Sequence, residues 1–250
     1  MTEPLANPAT SPSPQRPQLV PRLSLIAAAL VILVVWHAFP WGPEVLYPFT
    51  LFSTWVHETG HGLTALASGG VFDRLLIFPD ASGLAYTAAP PGAAAAVSLG
   101  GLLAPPVAAA VMLWIARTPH RAQFVLMSLS ALIILSLVLW TRSLTGWITM
   151  PLLAVAFVVV AWVGGRVALI SAQFVALMLV LMTVTRMDYL FMGSAVVGGR
   201  RQTSDIGNVA DQLGGSYLVW GFLTAAVSVV LCLAGLWAAW RGDRRSPIRS

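Results

Sequence analysis

Residues 147–185 read WITMPLLAVAFVVVAWVGGRVALISAQFVALMLVLMTVT, an apolar run broken only by Gly164, Gly165 and Arg166. An α-helix rises 1.5 Å per residue, so about 20 apolar residues cross a hydrocarbon core about 30 Å thick. The run is therefore too long for one span, and it predicts two membrane helices joined by a tight turn at 164–166.

Working outward, the same criterion predicts further spans at Leu23–Phe39, Val45–Ser68, Ala93–Ala116, Ala122–Trp140 and Tyr217–Trp240, seven in all. Trp41, Trp114, Trp140, Trp147, Trp162, Trp220 and Trp240 fall near span ends, where the water–lipid interface favours them. Composition agrees. The chain is 58% hydrophobic and 9% charged, with a mean hydropathy of +0.81. A soluble domain carries about 25% charged residues, so this chain cannot cover its own surface in water. A cytosolic enzyme, a nucleic-acid-binding protein and a disulfide scaffold are all excluded on that ground. The net charge of +5 comes from arginine alone and is scattered over loops and ends, as membrane-surface contact requires. With the N-terminus inside, the fourteen arginines divide seven and seven, so charge does not orient the chain. The expected fold is an all-α polytopic membrane protein of about seven helices with a short β-hairpin after the second.

Residues 1–21 hold six prolines among Ser, Thr and Gln and are expected to form a disordered tail. No A-x-A-like cleavage site follows Leu23–Phe39, so that run is expected to stay as a span. Residues 22–240 are read as one transmembrane domain and 241–250 as a basic tail. Two connections exceed a simple turn. Val71–Phe78 and Leu84–Thr87 are β-prone runs around Pro79-Asp80-Ala81-Ser82-Gly83, which predicts a hairpin. Arg186–Ser216 is polar and glycine-rich and carries Asp188, Asp205 and Asp211. Cys232 lies in an apolar run and is read as packing.

The chemistry centres on His57-Glu58-Thr59-Gly60-His61 inside the second span, the HExxH pattern. On a helix, residues i and i+4 share a face, so both imidazoles can reach one Zn²⁺ at about 2.0–2.1 Å. Glu58 points about 100° away, where it can take a proton from a water that zinc acidifies to a pKa of about 7. With four His and three Glu in the chain, chance supplies on the order of 0.001 such patterns. An ionised carboxylate at mid-membrane costs about 2.5–3.5 kcal/mol on insertion scales, so packing alone does not account for Glu58.

A third ligand must come from Asp73, Asp80, Asp188, Asp205, Asp211, His37 or His120. The two remaining glutamates, Glu3 and Glu44, lie upstream, and Thr64 and Ala67 replace the residues of the longer HExxHxxGxxH pattern. His57 and His61 occupy the second half of their span, and four further spans return the chain to that face. The Arg186–Ser216 connection therefore arrives beside them. Within it Asp205 has small neighbours and is preferred, and Asp211 comes second. Asp188 is expected to pair with Arg186, Asp73 and Asp80 to be surface turn residues, and His37 and His120 to be solvated.

In order from Phe49 to Trp220 come the HETGH helix with Gly62, then Gly69-Gly70 and a hairpin, then a helix with Gly100-Gly101 and Pro105. Asp205 follows in a polar segment ahead of a Trp-containing last span. This sequence resembles the site-2-protease family of intramembrane zinc metallopeptidases, particularly its small bacterial and plant B-type branch. The resemblance implies zinc on His57, His61 and Asp205, with Glu58 as catalytic base. It also implies a multi-pass protein of the bacterial cytoplasmic membrane that hydrolyses peptide bonds in membrane-embedded proteins. The family's characterised proteases set the aspartate in an Asp-Gly pair, where this chain has Asp205-Ile206-Gly207.

For such a reaction the hairpin is expected to take up an unwound substrate by strand addition. Gly100, Gly101 and Pro105 are expected either to loosen the third span around a cavity or to allow close helix packing. The expected partners are a membrane-protein substrate and the lipid bilayer, with no nucleic acid. Two other readings remain open: a non-proteolytic scaffold retaining a structural metal, and a divalent-metal transporter. The transporter calls for further metal-binding pairs in neighbouring spans, and the third to sixth contain no His, Asp or Glu.

Overall fold

The computed structural model describes residues 29, 30, 34 and 38–241. Apart from those few positions, the tail 1–21 and the expected span Leu23–Phe39 lie outside the described residues, as does the basic tail beyond Arg241. The chain runs α1 (Gly42–Ala67), β1 (Val71–Ile77), β2 (Gly83–Ala88), α2 (Ala94–Ile115), α3 (Pro119–Leu139), α4 (Leu144–Val163) and α5 (Gly165–Thr185). A 3₁₀ turn (Met187–Phe191), β3 (Ser194–Val197), β4 (Arg200–Thr203), α6 (Asp205–Leu213) and α7 (Tyr217–Arg241) complete it.

Among the described residues, five helices are long and apolar enough to cross a membrane: α2, α3, α4, α5 with its 3₁₀ extension, and α7. Their outer faces carry bare apolar side chains such as Phe124, Leu152, Val155, Phe222 and Val230, and Trp162 is 89% exposed. Surfaces of this kind need lipid against them. The protein is an integral membrane protein.

Helix α1, the expected second span, is 26 residues long but falls outside this group. Glu44, His57, Glu58, His61 and several Thr and Ser dilute its apolar character. Glu58 and His61 are tolerated because they are buried in protein, as is every residue from Thr50 to Val56, whereas Glu44 is exposed in the first turn. Helix α1 packs against α2, α5 and both strands of the first hairpin. Leu51, Phe52, Trp55 and Val56 join the main core with Leu113, Leu126, Phe157 and Leu179, and Trp55 Nε1 donates to Ser136 Oγ at 3.0 Å.

The break predicted within 164–166 is present. Gly164 and Gly165 adopt φ of +68° and +56°, a region that side chains with a Cβ resist. The two helices then diverge, α4 packing chiefly on α3 and α5 on α2 and α3.

Strands β1 and β2 pair antiparallel with Leu75 opposite Ala85 and Ile77 opposite Gly83, as the Pro/Gly turn signals. The outer edge of β1 is taken by the segment after α3: Leu75 N donates to Trp140 O at 2.8 Å and Arg142 N to Leu75 O at 2.9 Å. In the turn, the Ser82 hydroxyl and N–H both donate to Asp80 Oδ1, at 2.6 and 2.9 Å. Those bonds hold the Asp80 carboxyl below its ordinary pKa.

The Arg186–Ser216 connection holds more structure than a polar, glycine-rich segment suggests. Strands β3 and β4 form a second hairpin closed by Gly198-Gly199 at φ +54° and +77°, matching the two-residue turns that require positive φ. Its tip meets the first hairpin, Gly198 N donating to Ser82 Oγ at 3.1 Å.

Helix α2 runs unbroken through Gly100, Gly101, Pro105 and Pro106, so the glycines do not loosen it. They permit contact instead. A Cβ on Gly60 of α1 would lie 2.5 Å from the Gly100 carbonyl oxygen, so only glycine lets these backbones approach so closely.

Candidate metal centre

His57 and His61 stand one turn apart on α1 and face the N-terminus of α6. Asp205 is the first helical residue of α6, where Ser204 caps the helix by accepting from Gly207 N at 3.1 Å. A serine cap immediately before an aspartate starts a helix and leaves the carboxylate at its positive end. His57 Nε2 lies 3.1 Å from Asp205 Oδ2, across 148 residues of sequence. His61 Nε2 lies 3.4 Å from Asp205 Oδ1 and 3.0 Å from His57 Nε2.

His61 Nδ1 stands 2.8 Å from the Val97 carbonyl oxygen. A carbonyl only accepts, so Nδ1 carries a proton, and in the neutral form of the ring Nε2 keeps a lone pair that faces His57 and Asp205. Two ring nitrogens and a carboxylate converging in this way suit a shared cation. Four ligands at about 2.0–2.1 Å from a tetrahedral metal stand about 3.3–3.4 Å apart, close to the separations found. The donor set and spacing therefore fit zinc. Among the described residues this is the one group of three or more His, Cys, Asp or Glu that can hold a metal.

Glu58 is buried and lies beneath the start of β2. A Cβ on Gly83 would come within 2.6 Å of Glu58 Oε1 and of Thr54 Cγ2. Thr54 Oγ1 donates to Ala81 O at 2.7 Å, fixing the same turn over the helix. A cleft of about 340 Å³ opens here, lined by Thr54, His57 and Glu58, by Arg186 and Tyr189, and by Val196 of the second hairpin.

The other candidate ligands stay apart from the histidines. Asp211 is exposed six residues further along α6, and His120 is exposed at the start of α3. Asp73 pairs with Arg74 at 3.1 Å, and Asp80 serves its turn. His37 is outside the described residues. Asp188 lines the cleft, and among the described residues no ion pair joins it to Arg186 as expected. Arg186 instead donates to Thr54 Oγ1 at 3.5 Å, while Asp188 lies in the 3₁₀ turn that follows it. Two contributors have no sequence signal. Tyr189 donates to Asp205 Oδ2 at 3.2 Å, and Val97 offers only a backbone carbonyl.

Gly101 touches the His61 ring so closely that a Cβ there would overlap it. Gly101→Ala is expected to cost about 1–3 kcal/mol by overpacking. At about 2–4 °C per kcal/mol for a chain of this size, the midpoint of thermal unfolding in detergent should fall by several degrees. An unchanged midpoint would mean that His61 can move aside freely.

The fold and this site define a class: a polytopic helical membrane protein with a histidine–aspartate centre beside a buried glutamate. The chain belongs to the Peptidase M50B-like family, whose model matches residues 25–235, in keeping with the resemblance to site-2 proteases. That is a family of metallopeptidases. Neither a curated protein nor a solved structure matches the chain.

Proposed function

We propose that the protein is a zinc-dependent intramembrane endopeptidase that hydrolyses peptide bonds of membrane-embedded proteins in the bacterial cytoplasmic membrane. The observation that carries this reading is the convergence of His57, His61 and Asp205 beside buried Glu58, at the wall of an open cleft. In the full reading, α1 and the 23–39 segment are the two spans beyond the five apolar helices. Residues 22–240 then form the catalytic domain, between a Pro-rich tail and a basic one.

His57, His61 and Asp205 would hold the zinc. Zinc bound there supplies a Lewis acid that polarises the scissile carbonyl and lowers the pKa of the attacking water. Glu58 accepts the water's proton on its carboxylate and passes it to the departing amine nitrogen. A helical substrate buries its carbonyls in its own hydrogen bonds, so it must be unwound before attack. The outer edge of β2 has no strand partner among the described residues, whereas that of β1 is occupied. An extended substrate added along β2 would pair with the strand whose first residue, Gly83, stands directly against Glu58.

The test is cleavage of a helical membrane substrate by purified protein in proteoliposomes. Activity is expected to vanish on treatment with a chelator and to return with zinc. Cleavage that persists in protein shown to be free of metal would sink the proposal.

A further inference from the structure

We infer that Tyr189 is a positioning residue that locks Asp205 in the orientation needed to complete the metal centre; this rests on the zinc reading above. The phenol engages Asp205 at two points. Its O–H donates to Oδ2 at 3.2 Å, and the same oxygen faces the Asp205 main-chain N–H at 3.5 Å. Asp205 opens α6, so its N–H has no acceptor within the helix. One hydroxyl thus holds both the carboxylate and the backbone of the residue that carries it.

Tyr189 is itself held in place. It sits in the 3₁₀ turn Met187–Phe191, whose Leu190 packs with Leu102 of α2 and Ile206 of α6. The Leu190 carbonyl also rests against Gly221 of α7. On its other side the phenol ring meets His57 edge-on, with centroids 6.5 Å apart. The chain therefore places a packed donor at the carboxylate from a second element, the 3₁₀ turn, rather than from α6 itself. His61 is oriented in a parallel way by the Val97 carbonyl. Groups that hydrogen-bond a metal's ligands commonly contribute 10–100-fold to metal affinity.

The experiment is zinc affinity of the full chain by chelator competition, together with the rate at which the chelator strips zinc. Wild type is compared with Tyr189→Phe, and Asp205→Ala serves as the control. Tyr189→Phe keeps the ring and its packing and removes one oxygen. It is expected to weaken zinc about 10–100-fold, to speed zinc release, and to change the visible spectrum of the cobalt(II)-substituted protein, all at an unchanged unfolding midpoint. Affinity, release rate and cobalt spectrum equal to wild type would overturn the role of Tyr189 and leave the metal site standing. Wild-type protein that binds no zinc, in agreement with Asp205→Ala, would overturn both.

Discussion

Glu58→Gln is expected to stop peptide cleavage while leaving zinc bound at the wild-type stoichiometry. The substitution preserves shape, so the amide fits the space under Gly83 that the carboxylate occupies. It removes only the ability to accept a proton. Proton transfer by a positioned side chain is worth about 10²–10⁴-fold, and among the described residues the other carboxylate lining the cleft is exposed Asp188, while Asp205 stands against the histidines as a candidate ligand. A fall of about 10²–10⁴-fold is therefore expected. It would be read as product from a fluorescent helical substrate in proteoliposomes, with zinc counted by mass spectrometry on the same samples. Appreciable turnover by the variant would remove Glu58 from the chemistry. A wild type that holds zinc stoichiometrically yet cleaves nothing under any condition would favour the scaffold reading.

The second large effect separates two aspartates that lie six residues apart. Asp205→Ala is expected to lower zinc affinity by more than about 100-fold, beyond what the loss of an outer hydrogen-bonding group does. Asp211→Ala should bind zinc as wild type does. Asp205 touches both imidazoles, whereas Asp211 faces outward from the same short helix. Competition with a chromogenic chelator reads both variants in one assay. Zinc lost from the Asp211 variant and kept by the Asp205 variant would reverse the assignment of the third ligand.

Much of this architecture is written in local chemistry. Lengths of apolar run against bilayer thickness mark where the helices start and stop, and paired glycines mark the break between α4 and α5. The Pro79–Gly83 turn announces the first hairpin. The second hairpin carried an equivalent signal in Gly198-Gly199, masked by short flanking strands whose exposed Arg200 and Arg201 do not look like a strand. The roles of Gly60, Gly100 and Gly101 were not legible, since a glycine pair reads alike whether it bends a helix or lets two helices touch.

What the residues alone determined is the membrane solvent, the helical periodicity that brings His57 and His61 to one face, and the short set of carboxylates able to join them. Each follows from spacing along the chain, which covalent geometry dictates. Tertiary structure decided which aspartate arrives, that Glu58 lies beneath β2, and that Tyr189 holds Asp205. Those are contacts between elements far apart in sequence, set by how close the backbones of α1 and α2 can pack and by where the 3₁₀ turn after α5 delivers the chain. No local pattern encodes such distances, because they result from every packed surface at once.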